Sequence, residues 1–178
     1  MKTLFDLVKN ISGETTATIT YLADCGFPQK SGLADVSKRV SQKVAINHNY
    51  VEDVRSRIAE KGGNPNDFVE ESLRWGAWEK DMTNKVIAHK GEYYLRYYCI
   101  ESEYPSVEYF VNGVPATAQQ EADIKAYLAT KTKESAKQGA CGLSVKEQVM
   151  PRNVKFSNIE SVVFESGEVW IKGQSAAA

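Results

Sequence analysis

The chain has 178 residues, 42% of them apolar and 25% charged, enough for one domain with its own core. Its 22 basic and 23 acidic residues leave a net charge of -1, which excludes a global positive field holding the protein on nucleic acid or an anionic membrane. No apolar run approaches a membrane span, and Met1-Lys2-Thr3-Leu4-Phe5 lacks the long apolar stretch of a signal peptide, so a cytoplasmic protein is expected.

Leu4, Phe5, Leu7, Val8 and Ile11 recur at helical spacing before Ser12-Gly13, predicting a short amphipathic helix over residues 2 to 11. The β-branched run from Thr15 to Leu22 predicts a strand, ended by the turn-rich segment Asp24 to Gly32. Val36, Val40, Val44 and Ile46 form two short runs around Ser41-Gln42, read as a hairpin, although the four-residue spacing of the valines also permits a helix. Val54 and Ile58 share a face with Val51 in a helix from residue 50 to 61, stopped by Gly62-Gly63. Asn64-Pro65-Asn66 then forces a loop ahead of Trp75 and Trp78.

Lys85 to Ala88 and Tyr93 to Ile100 read as strands joined through His89-Lys90-Gly91-Glu92, and Val107 to Val111 as a third that closes at Asn112-Gly113. A meander is the simplest arrangement of the three. A helix is predicted from Ala116 to about Lys133, with Ile124, Tyr127 and Leu128 as its apolar stripe, followed by a polar stretch to Gly139. Strands around Val154 to Phe164 and Val169 to Lys172, turned at Ser166-Gly167, complete the pattern. The expected fold class is α+β: a mostly antiparallel twisted sheet, two main helices and a short N-terminal helix. Residues 1–173 form one domain in this reading, and 174–178 a disordered tail.

Three widely spaced cysteines, Cys25, Cys99 and Cys141, fit neither a disulfide framework nor paired zinc ligands. His48 and His89 have no cysteine or second histidine at ligand spacing, so no metal and no cofactor are expected. Without a phosphate loop, nucleophile elbow or spaced carboxylate pair, the reading is non-enzymatic, with no catalytic residue assigned.

The candidate binding residues are aromatic and basic. Trp75 and Trp78 are core anchors or ligand contacts, and Arg74 beside them grips either a phosphate or a neighbouring carboxylate such as Glu70 or Glu71. Strand alternation puts Tyr94, Arg96 and Tyr98 on one face, where they form a stacking platform for bases or an ordinary sheet face under a helix. His89 and Lys90 occupy the predicted turn, and Gln138 and Arg152 flank a polar excursion. Lys30, Lys38, Arg39 and Lys43 line a groove with Arg55 and Arg57, or make only a solvated surface.

In order along the chain stand Val44-Ala45-Ile46-Asn47-His48-Asn49-Tyr50, Asp67-Phe68-Val69, Arg74-Trp75-Gly76, His89-Lys90-Gly91 with Tyr94-Leu95, Asn112-Gly113, Gln138-Gly139, and Arg152 followed by Asn158-Ile159. This series, spread over most of residues 36 to 172, resembles a group of uncharacterised bacteriophage accessory proteins. It departs from their pattern at Ala77, where an arginine is expected, and in carrying Trp78. The resemblance implies an accessory protein acting by binding in the cytoplasm of a bacterial host cell. The leading expectation is a binder of a nucleotide-like small molecule, such as an immune signal sequestered from host defence. A single-stranded nucleic-acid binder and a protein inhibitor of a host enzyme are the alternatives. No membrane partner is expected, and a homodimer is the base expectation for a small ligand-binding protein.

Overall fold

The computed structural model describes residues 3–25, 35–67, 85–100, 103–131 and 152–174. The first helix, α1 (Leu4–Lys9), is started by a reciprocal capping box. Thr3 Oγ1 accepts from the Asp6 amide at 3.1 Å, and the Asp6 carboxylate accepts from the Thr3 amide at 3.1 Å. These bonds from Thr3 hold the Asp6 carboxyl below its ordinary value. At the other end the Lys85 ammonium donates to the carbonyls of Lys9 and Ile11, both at 2.8 Å, which satisfies oxygens that a helix terminus leaves orphaned.

Two long strands, β1 (Thr15–Asp24) and β2 (Val36–Ile46), pair antiparallel from Thr15↔Ile46 to Asp24↔Ser37. The expected hairpin within residues 36 to 46 is therefore corrected to a single eleven-residue strand. Ser41-Gln42 makes no turn because it is paired on both sides, Ser41 with Thr20 and with Ser106. Val36, Val40, Gln42, Val44 and Ile46 all point to one side, so period two prevails over the helical spacing of the valines.

Helix α2 (Tyr50–Glu60) follows, capped by Asn49, whose side chain accepts from the Glu52 amide. Strands β3 (Val86–His89) and β4 (Glu92–Cys99) form the expected hairpin. Its turn residues Lys90 and Gly91 both have positive φ, 49° and 77°, as a type I′ turn requires. A second turn of this kind, at Asn112-Gly113, joins β5 (Ser106–Val111) to β6 (Val114–Pro115). Helix α3 (Ala118–Lys131) starts from Thr117, which exchanges capping bonds with Gln120. Strands β7 (Arg152–Lys155), β8 (Ile159–Phe164) and β9 (Val169–Ile171) come last.

Among the described residues all nine strands belong to one curled antiparallel sheet whose main path runs β3-β4-β2-β1-β8-β9, which confirms an α+β fold. The meander expected for β3, β4 and β5 is corrected. One edge of β2 is divided, with β4 on Val44 to Ile46 and β5 on Val36 to Ser41, while β7 adds to the far side of β4. The length of β2 makes this possible, because eleven residues offer room for two short strands end to end.

The registers assign every side chain to one of two faces. On the inner face Ala17, Ile19, Val44, Ile46, Leu95, Tyr97, Val154, Val162 and Phe164 join Leu4 and Val8 of α1 in the main core. Fully burying one such aliphatic side chain stabilises the fold by roughly 1.5–3 kcal/mol. The outer face carries Thr16, Thr18, Thr20 and Leu22 on β1, Ser37, Arg39, Ser41, Lys43 and Ala45 on β2, and Tyr94, Arg96 and Tyr98 on β4.

Candidate functional site

The outer face has two ends built differently. At the β4 end it is closed. Arg96 and Tyr98 are each 2% exposed, and Ala45 beside Tyr98 is also buried. Against the Tyr98 ring lies His48, with ring centroids 5.2 Å apart. His48 sits between the end of β2 and α2, after Asn47 has turned the chain with a φ of 61°. Its Nδ1 is 2.6 Å from Glu14 Oε2 and its Nε2 is 3.1 Å from Asp53 Oδ2. Asp53 also accepts from Arg57 Nε at 3.1 Å. Both ring nitrogens of His48 thus face carboxylate oxygens. With both nitrogens engaged, the ring serves as a tie between the start of β1 and α2 rather than as a presented base.

On the inner side of the same strand, the Tyr97 and Tyr21 hydroxyls are 3.4 Å apart, and burial, reinforced by that contact, pushes the Tyr97 phenol far above its ordinary value. Both faces of β4 are thus covered along Leu95 to Tyr98. The alternation expected there is observed, and of the two alternatives for this face the covered sheet face fits Arg96 and Tyr98, which are buried. Of the other candidates, Lys90 is exposed at its turn and Tyr94 is half-buried. Arg152 is exposed on β7 opposite Tyr97. Five residues of strand separate Tyr97 from Glu92 at the turn, about 17 Å at strand rise, so Lys90 and Arg152 belong to different ends of β4. Arg74, Trp75, Trp78 and Gln138 lie outside the described residues, as does the side chain of His89.

At the β1-β2-β8 end the outer face is open, and three rows of side chains cross it. One runs from Leu22 through Arg39 to Glu108, the next from Ile171 through Ser161, Thr20 and Ser41 to Ser106, the third from Val169 through Val163 and Thr18 to Lys43. Leu22, Val163, Val169 and Ile171 are 39%, 44%, 48% and 40% exposed. The register shift between Thr20 and Tyr21 makes Glu160 the extra residue of a bulge, and such a bulge re-aims a side chain. Glu160 receives the Arg39 fork, Nε to Oε2 at 2.7 Å and Nη2 to Oε1 at 3.3 Å, while Arg39 Nη1 reaches Glu108 at 3.3 Å. Lys43 lies between Glu103 at 3.7 Å and Glu165 at 3.4 Å. Lys38 points to the opposite face from Arg39 and Lys43, so these cations do not line one groove.

Sequence reasoning missed this arrangement and the His48 bracket. Glu14 is 34 residues from His48, and no local pattern announces either pairing. Among the described residues no group of three or more His, Cys, Asp or Glu is arranged to hold a metal ion, and no helix is long and apolar enough to cross a membrane. Comparison with protein-family models, curated proteins and solved structures finds no match. The class defined by these observations is a curled-sheet α+β protein with one covered and one partly open face.

Proposed function

We propose that this chain is a non-enzymatic binding protein that engages another protein through the open part of the outer face. The observation that carries this reading is the exposed group Val163, Val169 and Ile171, with Leu22 nearby, beside cations that are already neutralised. Arg39 and Lys43 against Glu103, Glu108, Glu160 and Glu165 make two positive and four negative charges, a net of -2 within these ion pairs. A phosphate-bearing ligand meets carboxylates here, whereas a protein surface with an apolar centre and a basic rim is complementary. The single-stranded nucleic-acid reading asks the Arg96 guanidinium and the Tyr98 ring to touch a ligand, and both are buried; the nucleotide reading also draws on Arg74, Trp75 and Trp78, which lie outside the described residues. By the resemblance to phage accessory proteins, the partner is a host protein.

The test is affinity capture from bacterial lysate with the wild-type chain, Val163→Glu on the open face and Lys90→Ala at the distant turn. A stoichiometric partner kept by Lys90→Ala and lost by Val163→Glu supports the reading. Equal capture by all three, or a nucleotide released in stoichiometric amount from the denatured protein, overturns it.

A further inference from the structure

Strand β9 ends the main path of the sheet and, among the described residues, pairs only with β8. The β8–β9 bonds run from Phe164 N to Glu168 O at 2.9 Å and from Lys172 N to Glu160 O at 2.8 Å. Even-numbered residues of this segment therefore turn their backbone groups toward β8, and Val169 and Ile171 turn theirs toward the free edge. The Ile171 carbonyl also accepts from the Gln174 amide at 3.2 Å, which leaves it a second lone pair.

We infer that the protein forms a twofold dimer in which β9 pairs antiparallel with β9 of a second copy, centred on Trp170. In that register Val169 stands opposite Ile171 of the other copy, and each pair exchanges the outward backbone bonds. Trp170 faces its own copy as a non-hydrogen-bonded pair, the arrangement in which side chains approach most closely. One step further out, Glu168 stands opposite Lys172 of the second copy, and the twofold axis repeats the pair. The charges flanking this three-residue strand are thus self-complementary in this register and in neither neighbouring one, where Glu168 and Lys172 no longer face each other. Lys172 already donates to the Ser157 carbonyl at 2.6 Å, and an ammonium has two further donors for the carboxylate. The pairing leaves Val169 and Ile171 on the outer face and joins two open faces into one continuous surface.

The experiment is sedimentation velocity across the micromolar range on the wild type, Glu168→Lys, Lys172→Glu and an equimolar mixture of the two variants. In each variant alone the twofold axis sets like charges opposite each other twice, and dimerisation weakens about tenfold. In the mixture both cross-strand pairs are again opposite in charge, so a heterodimer forms with near wild-type affinity. A misfolded variant could not restore association in this way, and far-ultraviolet circular dichroism checks each separately. Wild-type protein that stays monomeric overturns the inference, as do variants that dimerise as well as wild type or a mixture that fails to recover. Because these residues flank the edge rather than the centre of the open face, a monomeric wild type leaves the protein-binding proposal standing.

Discussion

Arg96 and Arg39 lie on the same face of one sheet, yet Arg96 is buried and Arg39 spans the open surface between two carboxylates. Beside Arg96 are Tyr98 and Ala45, with His48 stacked on the Tyr98 ring. Around Arg39 are Thr20, Ser41, Leu22 and the half-buried Phe110, whose ring centroid lies 5.2 Å from the guanidinium carbon. Strand alternation tells which side a residue takes, and only the packing of other elements decides whether that side meets water. The closed end is accordingly a stability region, and the open end is the surface on which the proposed partner would sit.

The strongest way to break this comparison is truncation at both ends. Tyr98→Ala removes a buried aromatic and is expected to cost about 3–5 kcal/mol, whereas Leu22→Ala at the open end changes stability by no more than about 0.5 kcal/mol. Urea unfolding of the two variants measures both, and equal losses would mean that the two ends are alike. Next in size is His48→Ala, which removes the side-chain contacts with Glu14 and Asp53 and the ring contact with Tyr98. A loss of about 2 kcal/mol is expected, and a loss below that of Arg39→Ala would show that the bracket does not tie β1 to α2.

Arg39→Ala itself is expected to cost about 0.5 kcal/mol, shrinking in high salt, because its side chain is 39% exposed and its carboxylates are partly solvated. A salt-independent loss would place the guanidinium in a drier setting than its exposure implies. Away from both ends, Asp6 sharpens the acid limit. Its folded pKa is depressed below 3.8, so its contribution is present above that value and lost as pH falls through the folded pKa. Asp6→Asn is expected to flatten that part of the stability profile in unfolding experiments at successive pH values, and an unchanged profile would exclude the capping box as its source. A similarly small effect of opposite sign is expected at the β3–β4 turn, where Lys90→Asn relieves a positive φ and raises stability by about 0.5 kcal/mol. Thermal unfolding detects it, and a fall in stability would mean that the lysine side chain contributes at this turn.

Local chemistry by itself determined much of this protein. Thr3 and Asp6 bound α1 through a local capping box, although apolar spacing alone sets that helix at residues 2 to 11, Asn49 and Gly62 bound α2, and Lys90-Gly91 and Asn112-Gly113 place two hairpin turns. Each is set by contacts within four or five residues, so composition and spacing carry the information. The odd and even faces of β4 are legible for the same reason. Tertiary structure alone decided that residues 36 to 46 are one strand, since the partners that span Ser41-Gln42 come from β1 and β5. It likewise decided that Arg96 is covered while Arg39 is open, and that His48 meets Glu14 across 34 residues. Pairing partners and coverage are long-range properties: they depend on which elements compete for the same edge or face, and no window of sequence contains both competitors.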